Sequence, residues 1–200
     1  MILLHICCGP CAAYPISIMH DEGLKVRGYF YNPNIHPYRE FRLRLQSVRT
    51  VADNHHLTVE YHSDYGLQEY LRQVVFHEQQ RCGICYEMRL AATARQAKAL
   101  GAEAFSTTLL YSRYQKHELI REKGELIAGR FAIPFYYRDF REGWQAGREM
   151  AVGMELYRQS YCGCIYSEQE RYDKKLRRKR QGITPPPGRS RGGHSSGIDP

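Results

Sequence analysis

Ile2-Leu3-Leu4-His5-Ile6-Cys7-Cys8-Gly9-Pro10-Cys11 is the stretch on which the fold turns. Residues 2–6 form a short apolar run closed by a Cys/Gly/Pro turn, the pattern of a buried first strand. Pro10 then opens a helix to about Met19, because proline is well tolerated in a first helical turn. A strand that feeds a helix through so tight a turn is the opening of a β–α–β unit.

Reading outward, residues 25–31 predict a second strand, with Val26, Tyr29 and Tyr31 as β-formers and Asn32-Pro33-Asn34 as its stop. Residues 38–54 repeat Phe41, Leu45, Val48 and Val51–Ala52 at helical spacing. Residues 57–62 predict a third strand and 67–75 a helix. An alanine-rich helix over 85–100 ends at Gly101, followed by a strand over 104–110 and a helix over 117–130. Residues 135–139, after Pro134, read as a further strand, and 144–156 as a helix. Strands alternating with helices predict one α/β domain with a parallel sheet covered on both faces. The domain is expected to span residues 1–172. There is no internal repeat.

Charge divides the chain differently. The net charge is +8, but from Arg171 onward there are nine Lys/Arg against two Asp/Glu, and the other 170 residues carry a net +1. Residues 173–200, with Lys174, Lys175, Arg177, Arg178, Lys179 and Arg180 followed by three prolines, are expected to be disordered when unbound. Such a run adds salt-dependent affinity for nucleic-acid phosphates, or else serves as a solubilising terminus. No window approaches the ~18–20 apolar residues of a membrane span, and the N-terminus lacks a basic n-region, so a cytoplasmic location is expected. Sixteen tyrosines stand against one tryptophan. Their rings and hydroxyls suit a polar planar ligand, and Tyr111, Tyr114 and Tyr161 are candidates to stack on a flipped-out base.

All seven cysteines fall in three groups: Cys7, Cys8 and Cys11; Cys82 and Cys85; Cys162 and Cys164. An odd number in a reducing compartment points to metal binding or catalysis rather than a disulfide framework. The first group lies after the first strand, outside the carboxyl end of the sheet, where parallel sheets bind ligands and helix N-termini favour thiolates. Cys82-Gly83-Ile84-Cys85 opens a helix, so its two sulfurs face one ion or cluster. Cys162-Gly163-Cys164 can close a strained, reducible disulfide or flank a metal. Four thiolates from Cys8, Cys11, Cys82 and Cys85 fit structural zinc, and four thiolates also fit an iron–sulfur cluster. Zinc leaves three cysteines idle, and adjacent Cys7-Cys8 is not usual zinc spacing.

Five segments together resemble one family. They are residues 5–11, Cys82-Gly83-Ile84-Cys85-Tyr86-Glu87-Met88-Arg89, Ser106-Thr107-Thr108-Leu109-Leu110-Tyr111-Ser112, Tyr137-Arg138-Asp139-Phe140-Arg141 and Tyr161-Cys162-Gly163-Cys164. This set is similar to the signatures of QueH-type epoxyqueuosine reductases over about residues 1–175. Ser112-Arg113-Tyr114-Gln115 departs mildly from the family's Ser-Pro-Tyr-Gln. The resemblance implies a single Rossmann-like domain of the adenine-nucleotide hydrolase-like group. It also implies reduction of epoxyqueuosine in tRNA to queuosine, the last step of its synthesis, with an electron donor that the sequence does not identify. A 4Fe-4S cluster with an adjacent iron or other metal ion is implied as cofactor. Carried over, Cys7, Cys8, Cys82 and Cys85 are the cluster ligands, Cys11 stands near the second metal, and Cys162 and Cys164 form a redox-active pair.

Reducing an epoxide to an alkene takes two electrons and two protons, so a metal or second redox element beside a one-electron cluster is useful. Asp139 is a candidate acid or ligand, set against the commoner capping or ion-paired role. His5 reads as a core histidine, and Thr107 and Thr108 as candidates for ribose or phosphate, or simply as strand formers. Two rivals remain at this level. An ATP-dependent tRNA-modifying enzyme needs a Ser/Gly-rich loop of amide donors, and Pro10 removes one from the loop in that position. A zinc-stabilised, non-enzymatic RNA-binding module predicts a colourless protein.

Overall fold

A computed structural model describes residues 1–175, so of the basic run only Lys174 and Lys175 fall within it. Four strands, β1 (Ile2–His5), β2 (Val26–Phe30), β3 (Val59–Tyr61) and β4 (Ala104–Thr107), form one sheet in the order β3-β2-β1-β4. All pairings are parallel, with Ile2 opposite both Val26 and Ala104. β1 is central and every one of its side chains is buried, which is why its sequence is apolar without alternation.

The helices are α1 (Gly9–Asp21), α2 (Tyr38–Asn54), α3 (Leu67–Val74), α4 (Arg81–Ala99), α5 (His117–Phe131), α6 (Trp144–Gly153) and α7 (Ile165–Tyr172). The chain steps from β1 to β2 to β3 in one direction, then returns past β1 to place β4 on its other side. Right-handed crossovers therefore put α1 and α2 on one face and α4 on the other. The packing agrees: α1 lies against α2 and α6, and α4 against α5, β1 and β4. This is a Rossmann-like α/β domain. Its topological switch point lies between β1 and β4, at the carboxyl ends of the two strands, where such sheets bind ligands.

Three expectations differ from the structure. β4 stops at Thr107 rather than at residue 110, because the Thr107 hydroxyl accepts from the Leu109 N–H at 3.1 Å and opens a 3-10 turn over Thr108–Tyr111. Residues 135–139 do not form a strand. Only Phe135 bridges to Phe105, after which Asp139 caps a 3-10 turn over Phe140–Gly143. α4 begins at Arg81, four residues before the expected start, so Cys82 and Cys85 both lie in its first turns. α7 is an element that periodicity did not announce. Among the described residues no helix is long and apolar enough to cross a membrane.

Candidate functional site

The turn after β1 brings the Cys7, Cys8 and Cys11 sulfurs within 4.8 Å of one another, all buried. Gly9 makes the turn fit: a Cβ there would lie 2.2 Å from Ser47 Oγ and 2.6 Å from the Ser47 carbonyl oxygen, so the start of α1 is pressed onto α2. The turn after β4 meets it across the switch point. Thr108 Oγ1 accepts from the Cys7 N–H at 3.2 Å and donates to Cys7 Sγ at 3.4 Å, while Gln159 Nε2 donates to Cys8 Sγ at 3.0 Å. Hydrogen bonds from Cys11 and then Cys8 hold the Cys7 thiol well below its usual range. The reciprocal bonds to Cys7 and Cys8 push Cys11 up. At Cys8 the bond with Cys11 pulls downward, but Cys7 and burial outweigh it and leave the thiol at about 12. One thiolate stabilised by two thiols is a preformed set of soft donors.

Of the other four cysteines, Cys85 and Cys164 lie against α3, with Cys82 and Cys162 near Cys85. Cys82 and Cys85 stand three residues apart on α4 and so share a helical face. Cys85 packs with Cys164, Tyr70 and Val74 in a small buried cluster. Burial pushes Cys85 up to about 12, against the pull of Arg89. Cys164 caps α7, its sulfur accepting from the Ser167 N–H at 3.4 Å. Cys162 is the exposed one, and its sulfur accepts from Gln115 Nε2 at 3.2 Å. Gly163 between them has φ 141°, a conformation that a side chain would strain. All seven cysteines are free.

Two arginines, both 2% exposed, stand behind these thiols. Arg44 on α2 donates from Nε to Glu40 at 2.7 Å and from Nη1 and Nη2 to the Cys162 and Tyr161 carbonyl oxygens. Arg89 on α4 donates from Nη1 to Asn32 Oδ1 at 3.3 Å, and its Nε has no partner. Neither arginine carried a role in the sequence reading. Arg89 stood inside one of the quoted segments, and Gln115 at the end of the run Ser112-Arg113-Tyr114-Gln115, which was the only available signal.

The remaining candidates fall elsewhere. Asp139 forms an ion pair with Arg141 at 2.5 Å and lies 3.9 Å from His117. The Arg141 hydrogen bonds hold its carboxyl at about 2, which suits a ligand or an orienting charge better than a proton donor. His5 is the expected core histidine, bridging Thr107 Oγ1 and the Tyr31 carbonyl oxygen at 2.9 and 3.1 Å. Thr107 and Thr108 are fully buried with committed hydroxyls, so neither faces a ribose. Tyr111 is buried as well, stacked on Trp144, whereas Tyr114 is 83% exposed at the edge of the same indole.

Three clustered buried thiols and a buried guanidinium with an unpartnered nitrogen fit a bound thiolate-ligated metal group, which would supply the missing negative charge. A Rossmann-like domain whose switch point carries three clustered buried cysteines that could hold a metal ion defines the class: an α/β protein with a thiol-lined candidate metal site. The chain belongs to the epoxyqueuosine reductase QueH family, whose model matches residues 2–170. It is 38% identical over 173 residues to the epoxyqueuosine reductase QueH of Dehalococcoides mccartyi, covering 86% of this chain and 95% of that protein. It is 33% identical over 191 residues to the protein of the same name from Thermotoga maritima, covering 90% and 97%.

Proposed function

We propose that this chain reduces the epoxide of epoxyqueuosine in tRNA to the alkene of queuosine, using a cysteine-held 4Fe-4S cluster and an adjacent iron or other metal ion. The observation that carries the reading is the buried Cys7, Cys8 and Cys11 cluster, with Cys82, Cys162 and Cys164 near Cys85 and a buried arginine, Arg89, that interacts with Cys7, Cys85 and Cys162, in a member of this family. When bound, the metals would supply one-electron transfer and a Lewis acid for the epoxide oxygen.

The chain's own residues do the rest. Cys7, Cys8, Cys82 and Cys85 are the cluster ligands, and Cys11 serves the second metal. Thr108 and Gln159 orient Cys7 and Cys8 through their sulfur hydrogen bonds. Cys162 and Cys164 form the redox pair. Oxidising two thiols to a disulfide releases two electrons and two protons, which is what removal of the epoxide oxygen as water consumes. Gln115 holds Cys162 at the surface, where an electron donor can reach the pair to reduce it again. The substrate approaches the same exposed edge, and the cytoplasm is where tRNA and a reduced thiol set coexist.

The test is anaerobic incubation of the iron-loaded protein with epoxyqueuosine-containing tRNA and dithionite, followed by nucleoside mass spectrometry. Queuosine should appear, with losses of about 100-fold or more in Cys82→Ser and Cys162→Ser. An iron-loaded protein that leaves epoxyqueuosine unchanged would refute the proposal.

A further inference from the structure

We infer that Arg89 is the fixed counter-charge of the cysteine-held redox group and tunes how readily that group accepts an electron. The inference rests on the proposed reductase reading and assigns a positioning residue to it.

The geometry starts from α4. Cys82, Cys85 and Arg89 are spaced three and four residues apart, so one helical face presents two sulfurs and a guanidinium. Arg89 reaches back to the carboxyl end of the sheet, where Nη1 meets Asn32 Oδ1. Asn32 in turn donates to the Ile6 carbonyl oxygen at 2.9 Å, one residue before Cys7. The guanidinium is thereby anchored between the thiols of α4 and the thiols of the first turn.

What Arg89 lacks is decisive. Among the described residues no carboxylate lies within 4.0 Å of it, whereas Arg44, equally buried, has Glu40 at 2.7 Å. Asn32 is neutral, and the Arg89 Nε has no acceptor. A buried guanidinium cannot shed its proton, and an isolated buried charge is costly, so its compensation must come from the sulfurs around it. Cys85, Cys7 and Cys162 all lie near enough to interact with its charge. Those three residues come one from each cysteine group.

An unpaired positive charge beside a thiolate-ligated cluster favours the state with one more electron, because net charge sets the potential. Arg44 also lies near enough to Cys8 to feel it, but Glu40 already balances its charge, so its influence is expected to be the smaller of the two.

The experiment is an EPR-monitored redox titration of the iron-loaded full chain in three forms: wild type, Arg89→Gln and Asn32→Asp. The second variant leaves the guanidinium in place and gives it a carboxylate, at the cost of the Asn32 donor to the Ile6 carbonyl oxygen, so it reads the net charge at this position with the Arg89 side chain intact. Both variants should move the midpoint to more negative values. At the wild-type midpoint the reduced-to-oxidised ratio should fall about tenfold, which is 59 mV for a one-electron couple. Unchanged midpoints in fully loaded variants would overturn the role of Arg89 and leave the reductase reading intact. If Arg89→Gln fails to fold or load, Asn32→Asp decides alone, its unchanged midpoint being the contrary result. A wild-type chain that takes up no iron overturns both readings.

Discussion

Arg44 Nη1 donates to the carbonyl oxygen of Cys162 at 2.8 Å, joining residues 118 positions apart. Nη2 does the same for Tyr161 at 3.0 Å, and Glu40 holds the Nε. Tyr157 completes the network by donating to Glu40 Oε2 at 2.5 Å. The cysteine pair at the end of the domain is thus held by α2, a helix that contributes no cysteine.

Removing one partner of a buried ion pair strands the other. Arg44→Met is expected to cost about 3–5 kcal/mol in urea denaturation. The double variant Arg44→Met with Glu40→Leu should recover much of that loss, since apolar replacement of both partners is often close to neutral. A single variant as stable as wild type would mean that the pair does not hold the loop.

Gly9 is a second point of close approach. Where space allows, Gly→Ala inside a helix stabilises by about 0.5–1 kcal/mol. Here the added methyl meets the Ser47 backbone, so Gly9→Ala should instead destabilise by about 1–3 kcal/mol and lower metal loading. The sign of the change, read by thermal denaturation, decides between the two.

Stability should fall on mild acidification. Burial, then the charge of Arg89, lowers the His5 pKa to about 3, and burial lowers His36 to about 4. Both imidazoles are neutral in the fold and take up protons first in the unfolded chain. Each therefore contributes stability that is complete above about 6.5 and lost as pH falls toward its folded value. The limiting slope is about 1.4 kcal/mol per pH unit for each group. His5→Gln, compared with wild type by urea denaturation at pH 7 and pH 5, should show a shallower dependence; an identical one would refute the assignment.

Tyr114 and Tyr111 separate binding from folding. Tyr114→Ala should weaken tRNA affinity by about 1–3 kcal/mol in filter binding, with an unchanged thermal midpoint. Tyr111→Ala removes a buried ring whose hydroxyl donates to the Trp144 carbonyl oxygen, and should cost about 3–5 kcal/mol of stability. Full tRNA affinity in the Tyr114 variant would remove this surface from the interface.

The sheet was legible because β1 is a short apolar run, the other strands carry β-formers between turn residues, and α2 shows a 3.6-residue apolar period. The bounds of α2 were readable to the residue, since Pro37 and His55 frame a clean amphipathic stripe. Residues 135–139 misled because strand propensity is local, while strand formation needs a neighbour along its whole length, and only Phe105 supplied one. α7 has no buried residue and so left no apolar period to read. The cysteine groups were visible as spacing, but their partners were not. Arg44 and Arg89 look like ordinary surface charges in sequence. Only the packing of α2 and α4 shows that both are buried, and that one has a carboxylate while the other has none among the described residues.

Everything proposed for the site depends on iron being held by these thiols. The direct measurement is anaerobic purification followed by a UV–visible spectrum and metal analysis of wild type and Cys82→Ser. A brown wild-type protein absorbing near ~400 nm with about four or more irons per chain, bleached in the variant, is the expected result. A colourless wild-type protein with stoichiometric zinc, even after anaerobic iron–sulfide reconstitution, would contradict it.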